Sequence, residues 1–336
     1  MRQISLALAL LALTPGSAEA AAWQSKTMQA PMAAREVSRS LHLPKGWAEF
    51  SLSFDYKLAT GSWGSDGVMT SFDNANFLYT TRRISGRYGF TNSTELFISV
   101  PVHYISLTNE LNGTDTSGRY PGDPSFGFRM GLLDNDLPLT SVVFEAEMKV
   151  PAGNEDPGSY IAGPSVFSQF ITTTGTQDLS LSLAAKRQVT SNIAVGAHVG
   201  YNHRFSSIVH YLIELGENQG AGRIKPGAQT FAGATLTAQA GPVALSVSPT
   251  YLIQNEVRVG TTSGGLSPDS QLEPVEGSGG DYLDVSVGMT AHLNRNIDLS
   301  VGANIPIIGE DLMFFPIEDI HPTYGNTYSG TFTLRY

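Results

Sequence analysis

The stretch "NHRFSSIVH", residues 202–210, sets His203 and His210 close to Ser206 and Ser207, the residue types of a serine hydrolase. A hydroxyl nucleophile needs a base within hydrogen-bond reach and a third group to orient that base. No third group can be placed here, and the histidines have no metal-ligand spacing. The chain has no cysteine, which removes thiolate metal sites and a cysteine nucleophile. A different chemistry is suggested by charge at every second residue: Glu145, Glu147 and Lys149 in "FEAEMKV". Arg83, Arg87, Arg129, Lys186 and Asp284 occupy comparable positions elsewhere. Charges repeated along one face can form a constriction that selects what passes, or neutralise one another in a salt-bridge network.

The elements that would carry these residues have a period of two. "WAEFSLSFDYKL" puts Ala48, Phe50, Leu52, Phe54, Tyr56 and Leu58 on one side against Glu49, Ser51, Ser53, Asp55 and Lys57. "TELFISVPVHYISL", "SFGFRMGLL", "LTSVVFEAEMKV", "DLSLSLAAKR" and "NIAVGAHVGYNHRF" repeat the division, as do "YLDVSVGMTAHL" and the final "YSGTFTLRY". Such alternation describes strands with one apolar and one polar face. On this register the inward set is Asp55, Lys57, Arg83, Arg87, His103, Arg129, Glu145, Glu147, Lys149, Lys186, His198, Arg204, Glu256, Asp284, Asp298 and Arg335. Glu145, Glu147, Arg129 and Lys149 are expected to form the narrowest collar. Two places disturb the pattern. One of the adjacent pair Arg82 and Arg83 must face lipid unless a bulge intervenes, and Pro101, Pro249 and Pro306 each remove a ladder donor.

Short polar joints at "YGFTNS", "LDNDLP", "VTSN", "QAGP" and "HLNRN" alternate with long connections at 61–73, 108–122, 151–177, 206–227, 259–280 and 309–324. The segments between them add up to about 12 strands, and short turns on one rim with long loops on the other are the arrangement of outer-membrane barrels. The expected fold is therefore all-β: a transmembrane antiparallel up-and-down β-barrel over residues 46–336, with short periplasmic turns and long extracellular loops. Its last strand would close against its first, which abolishes the sheet edge. Residues 1–22, with Arg2, an apolar run from Ile4 to Leu13 and a small-residue cleavage region, are expected to be a secretory signal peptide. Residues 23–45 lack sustained alternation and would hang in the periplasm or enter the lumen. Residues 163–175 alternate inside a long loop and would extend a strand or fold into the mouth.

The formal charge of −10 argues against a nucleic-acid partner. The mature chain has no second long apolar run, so a membrane crossing must use strands. Expected partners are outer-membrane lipids and lipopolysaccharide of a Gram-negative bacterium, the barrel-assembly machinery and a small-molecule solute. No cofactor is implied. Phe332, Leu334 and Tyr336 on the final amphipathic strand are expected to be read during barrel assembly.

The segment "GDPSFGFRMGLL…VVFEAEMKVPAG" resembles the outer-membrane proteins grouped as transporters of the MetA-pathway of phenol degradation, through Gly122, Asp123, Gly127, Lys149, Pro151 and Gly153. "SLHLPKGWAEFSLSF" resembles the lead-in segment of such barrels. The resemblance implies a 12-stranded pore that takes up small aromatic or apolar compounds, and it brings no catalytic residues. The functional expectation is a passive channel. An apolar solute would meet loop aromatics such as Tyr160, Phe167, Phe170, Phe314 and Phe315. The alternatives are a surface scaffold or adhesin, and a barrel-wall lipid hydrolase.

Overall fold

The computed structural model describes residues 36–59, 61–63, 69–71, 75–109, 114–136, 139–153, 160–161, 166–167, 173, 175–209, 222–261, 269, 272–274, 278–309 and 323–336. Residues 1–22, expected to be a signal peptide, residues 23–35, His210, Phe170, Phe314 and Phe315 lie outside the described residues. Twelve strands form the wall. They are β1 (Ala48–Ala59), β2 (Ala75–Gly89), β3 (Thr94–Asn109), β4 in two pieces (Thr114–Pro121 and Ser125–Asp136), β5 (Leu139–Lys149) and β6 (Asp178–Thr190). β7 (Ile193–Arg204), β8 (Gln229–Ala240), β9 (Val243–Gln254), β10 (Gly280–His292), β11 (Ile297–Gly309) and β12 (Thr327–Arg335) complete it. Every neighbour is antiparallel, and β1 pairs with both β2 and β12, so the sheet has no open edge. Closure runs to the last residue, where Ala48 N–H donates to the Tyr336 carbonyl at 3.0 Å and Tyr336 N–H returns the bond at 2.9 Å.

Burial follows the alternation in reverse of a soluble core. Outward positions such as Ile84, Leu245 and Val301 are 51%, 55% and 55% exposed, while Glu49, Lys57, Glu95 and Asp298 on the other parity are buried. A wall that is apolar outside and polar inside fits lipid on one side and a wet lumen on the other. No helix among the described residues is long and apolar enough to cross a membrane; the wall crosses with strands. Tyr56, Tyr201, Tyr251 and Tyr328 point outward toward the loop-side rim, and Tyr88, Phe90 and Tyr336 lie at the turn-side rim. These are the two aromatic girdles expected of a membrane barrel.

The irregular places resolve individually. Arg82 and Arg83 sit in unbroken register opposite Val102 and Pro101, so Arg82 faces outward and Arg83 inward, 3.8 Å from Asp55. Pro101 stands where β3 passes from one piece of β4 to the other, across residues 122–124. Opposite Pro249 the β8–β9 ladder skips Ala234 and Thr235, and the Ser248 hydroxyl donates to the Ala234 carbonyl at 2.9 Å. Register shifts at Gly131/Leu133 and Leu283/Asp284 account for the consecutive exposed pairs Leu132–Leu133 and Ile307–Ile308. A bulge lets two apolar neighbours share one face without disturbing the rest.

The tilt is visible in the pairing. A row that begins at the turn-side rim with Arg335, Glu49 and Arg87 continues through Phe97, Gly127, Glu147 and Ser180 and reaches the loop-side rim at Asn202, Gln229 and Gln254. Above the loop-side rim, short strands extend the wall. Gly61–Trp63 pairs with Met69–Ser71 and Thr323–Tyr324, and Ser207–Val209, Gly222–Lys225, Arg258–Thr261 and Glu273–Pro274 form a second small sheet. Within the alternating loop stretch, Val166–Phe167 pairs with Tyr160–Ile161, and Tyr160 and Phe167 are register partners.

Candidate pore and lumenal segment

Successive strands meet the lumen near the turn-side rim with charges of alternating sign. His292 Nδ1 lies 2.8 Å from Asp298, which accepts from Arg335 at 2.5 Å. Arg335 also donates to Glu49 at 2.6 Å, and Arg87 joins Glu49 to Glu95 with bonds of 2.9 Å on each side. Arg129 lies 3.3 Å from Glu95 and donates to Glu145 at 2.7 Å. The belt thus passes from β10 through β11, β12, β1, β2, β3 and β4 to β5. Opposite charges side by side satisfy the desolvated carboxylates, several of which are almost fully buried.

Inside this belt lies residues 36–43, a single 3-10 turn (Glu36–Ser38) followed by extended chain. Arg39 donates to Asp298 at 3.0 Å and to Glu36 at 3.0 Å. Lys186 Nζ donates to the carbonyls of Glu36 and Arg39 at 2.6 and 3.2 Å. The Leu41 carbonyl accepts from Arg129 at 2.9 Å, its N–H donates to Ser141, and Leu43 N–H donates to Glu95 at 2.7 Å. Backbone groups that strand pairing would otherwise satisfy are taken up by wall side chains. Five cations (Arg39, Arg87, Arg129, Lys186, Arg335) face five anions (Glu36, Glu49, Glu95, Glu145, Asp298), and His42 lies 4.0 Å from Asp134 beside them. A cavity of about 210 Å³ remains beside the segment, lined by residues that include Glu36, Arg39, His42, Arg87 and Lys186.

The path from lumen to wall turns sharply at Gly46, whose φ of +83° is a left-handed conformation that side chains disfavour. Its N–H donates to the Gly89 carbonyl at 2.8 Å. Gly89 in turn must lack a side chain, because a Cβ there would sit 2.0 Å from the Pro44 carbonyl oxygen. Leu43 and Trp47 pack together as a small buried apolar plug at this corner.

A second charged level lies toward the loops. Lys149 Nζ is 2.7 Å from Asp178 and 4.0 Å from Asp123, and Arg204 is 3.7 Å from Asp178. Asp123 accepts from the N–H groups of Ala152 and Gly153 at 2.9 and 3.0 Å and from the Thr173 hydroxyl at 2.8 Å. Asp284 accepts from Asn304 at 2.8 Å. Between the levels, small inward side chains pair across strands, Ser51 with Thr333, Ser53 with Thr331, Ser85 with Ser99, Thr235 with Ser248, and Thr290 with Ser300, beside larger inward groups such as Phe97, His198 and Phe231.

The four residues expected as one collar are therefore divided. Arg129 and Glu145 belong to the turn-side belt with Arg87 and Lys186, whereas Lys149 stands four residues, roughly 13 Å along the strand, beyond Glu145. Glu147 lies between them, and Arg83 meets Asp55 in the middle of the wall. Glu256 is not inward: it lies beyond the end of β9 and lines an open cavity of about 710 Å³ at the loop-side rim, with Tyr201, His203, Lys225 and Arg258. Sequence reasoning passed over Glu95, Asp178, Glu36 and Arg39. The parity of "TELF" places Glu95 with Ser99 on the inward face, but nothing local to Glu36 or Arg39 points to a wall partner more than 140 residues away. Ser206 donates to Asp269 at 2.7 Å and accepts from Arg223 at 2.8 Å. His203 stacks edge-on against Phe205 on the outer face. Among the described residues, then, the serine and histidine of "NHRFSS" are engaged with other groups. Phe332, Leu334 and Tyr336 all face outward on β12.

No protein-family model matches the chain, and no curated protein does. Among solved structures, the fold is similar to an outer membrane channel of Pseudomonas putida F1, with a TM-score of 0.61 and 11% identity over 88% of this chain and 97% of that one. Weaker likenesses include the NanC porin (TM-score 0.46, 7% identity, 85% and 98% of the two chains) and the P. putida toluene transporter TodX (0.37, 10%, 86% and 90%). At these identities the likeness concerns the fold. With its closed wall, apolar exterior, two aromatic girdles and polar interior, the chain is a 12-stranded β-barrel of the Gram-negative outer membrane.

Proposed function

We propose that this barrel is a passive channel for small molecules, narrowed at its periplasmic end by residues 36–43. The observation that carries the reading is that this segment is held by side chains reaching from the wall, not by strand pairing, so it can leave without opening the barrel. The middle of the lumen carries many Ser, Thr and Gly residues and the Arg83–Asp55 pair beside a few rings such as Phe97 and Phe231, a mostly polar lining that favours a hydrated path. Planar-bilayer recordings of the mature protein and of a form lacking residues 23–42 test it. The deletion keeps Leu43 and Trp47, and it should raise single-channel conductance several-fold. Two silent proteins would reject the channel and favour a scaffold that presents its loops.

A second reading concerns the solute. The resemblance to aromatic-compound transporters, together with the rim cavity of about 710 Å³ beside Tyr201 and His203, supports an amphipathic or aromatic solute that binds at the rim before passage. Uptake of such a solute should then fall in Tyr201→Ala while ion conductance stays the same; equal uptake would remove the rim cavity from the route.

A further inference from the structure

Two arginines interrupt the apolar exterior of the wall on its loop-side half. Arg82 on β2 faces outward in register with Phe54 and Val102, and Arg119 on β4 faces outward in register with Tyr104. Both are exposed. Arg82 lies over the Phe54 ring at 6.0 Å, and among the described residues neither guanidinium has an ion-pair partner. A lipid-facing arginine is costly at the bilayer midplane and much less so at the interface, so their height matters.

The pairing fixes that height. Tyr328 and Tyr56 are register partners in the loop-side girdle, and Arg82 stands two residues below the Tyr56–Thr80 pair. The rows climb toward the loops from β12 to β4, by roughly 3 Å per strand at the usual spacing and tilt, which offsets most of that step and returns Arg82 to girdle level. The same climb carries Arg119, in the row Tyr56–Thr80–Tyr104–Arg119, roughly 10 Å higher. Their Cα atoms are separated by two strands and two residues, roughly 12 Å. One guanidinium is thus at the acyl boundary and the other in the headgroup layer above it. Both side chains are long enough to converge on one headgroup between them, with Tyr104 as the apolar floor.

We propose that Arg82 and Arg119 form a binding site for the phosphorylated sugar headgroup of an outer-leaflet glycolipid. Planar, always-charged guanidinium groups match phosphate oxygens in two-pronged fashion. The vertical offset suits a lipid standing upright against the wall, its acyl chains along Ile84, Val100 and Phe126. The site lies on the outside of the barrel and is independent of whether the lumen conducts.

Native mass spectrometry of the detergent-purified protein mixed with bis-phosphorylated lipid A is the test. The wild type should retain one lipid per chain. Arg82→Gln/Arg119→Gln should bind about tenfold more weakly, in line with the loss of two charge-assisted contacts. Arg187→Gln removes an outward cation near the opposite rim and should bind as the wild type does. Dephosphorylated lipid A binding equally well, or the double variant binding as the wild type, overturns the site. Displacement of the lipid by millimolar inorganic phosphate would assign the arginines to free anions instead and would also overturn it. If the double variant does not fold, Arg119→Gln alone decides, with a smaller loss expected.

Discussion

Replacing Glu95 by alanine should weaken the barrel and release its lumenal segment together. Glu95 is 0% exposed and accepts from Arg87 through both carboxylate oxygens, from Leu43 N–H at 2.7 Å, and lies 3.3 Å from Arg129. Removing one member of a buried ion pair costs about 3–5 kcal/mol when the partner is left without compensation. Here Arg87 keeps Glu49 and Arg129 keeps Glu145, so the loss should fall near the lower end, about 3 kcal/mol. Glu95→Gln retains an acceptor of similar shape but no charge, and about 1–2 kcal/mol is expected. Equilibrium denaturant unfolding in detergent, followed by tryptophan fluorescence, reads these losses, and bilayer conductance reads the release of residues 36–43. Conductance of Glu95→Ala should rise toward that of the form lacking residues 23–42, and combining the two changes should add little to it. A Glu95→Ala protein within about 0.5 kcal/mol of the wild type and unchanged in conductance would refute both the belt's energetic role and its hold on the segment.

Gly46→Ala should cost about 1–2 kcal/mol from its positive φ alone, since no atom lies within 4 Å of the added Cβ; an unfolding midpoint equal to that of the wild type would contradict this. Deleting Tyr336 removes both closing bonds to Ala48 and an outward girdle ring, and it should reduce the yield of heat-modifiable, folded barrel on gels. Undiminished yield would argue against any part for this residue in closure or assembly. Glu145→Gln together with Glu147→Gln takes two negative charges from the inward face of β5, and reversal potentials in a salt gradient should move toward anion preference. A conducting double variant with unaltered selectivity would place the ion path away from that face.

The wall was legible from residue pattern. Period-two alternation fixes which face meets lipid, because a slip of one residue would turn every Leu, Val and Phe of a strand into the lumen. Short joints against long loops, read together with strand count, pointed to an antiparallel closed barrel, which the pairing bears out. The inward parity of Arg83, Arg87, Arg129, Glu145, Glu147, Lys149, Lys186 and Asp284 was legible for the same reason. Which of these charges meet depends on how the strands come together in three dimensions. Barrel tilt makes a hydrogen-bonded row climb from Arg335 at one rim to Gln254 at the other, so neighbours along one strand, such as Glu145 and Lys149, belong to different charged levels. Residues far apart in the chain, such as Arg39 and Asp298, share one level instead. The choice between a periplasmic tail and a lumenal course for residues 36–43 was likewise beyond sequence reading, since an aperiodic segment takes its conformation from wall groups such as Glu95, Arg129 and Lys186, which come together only when the sheet closes.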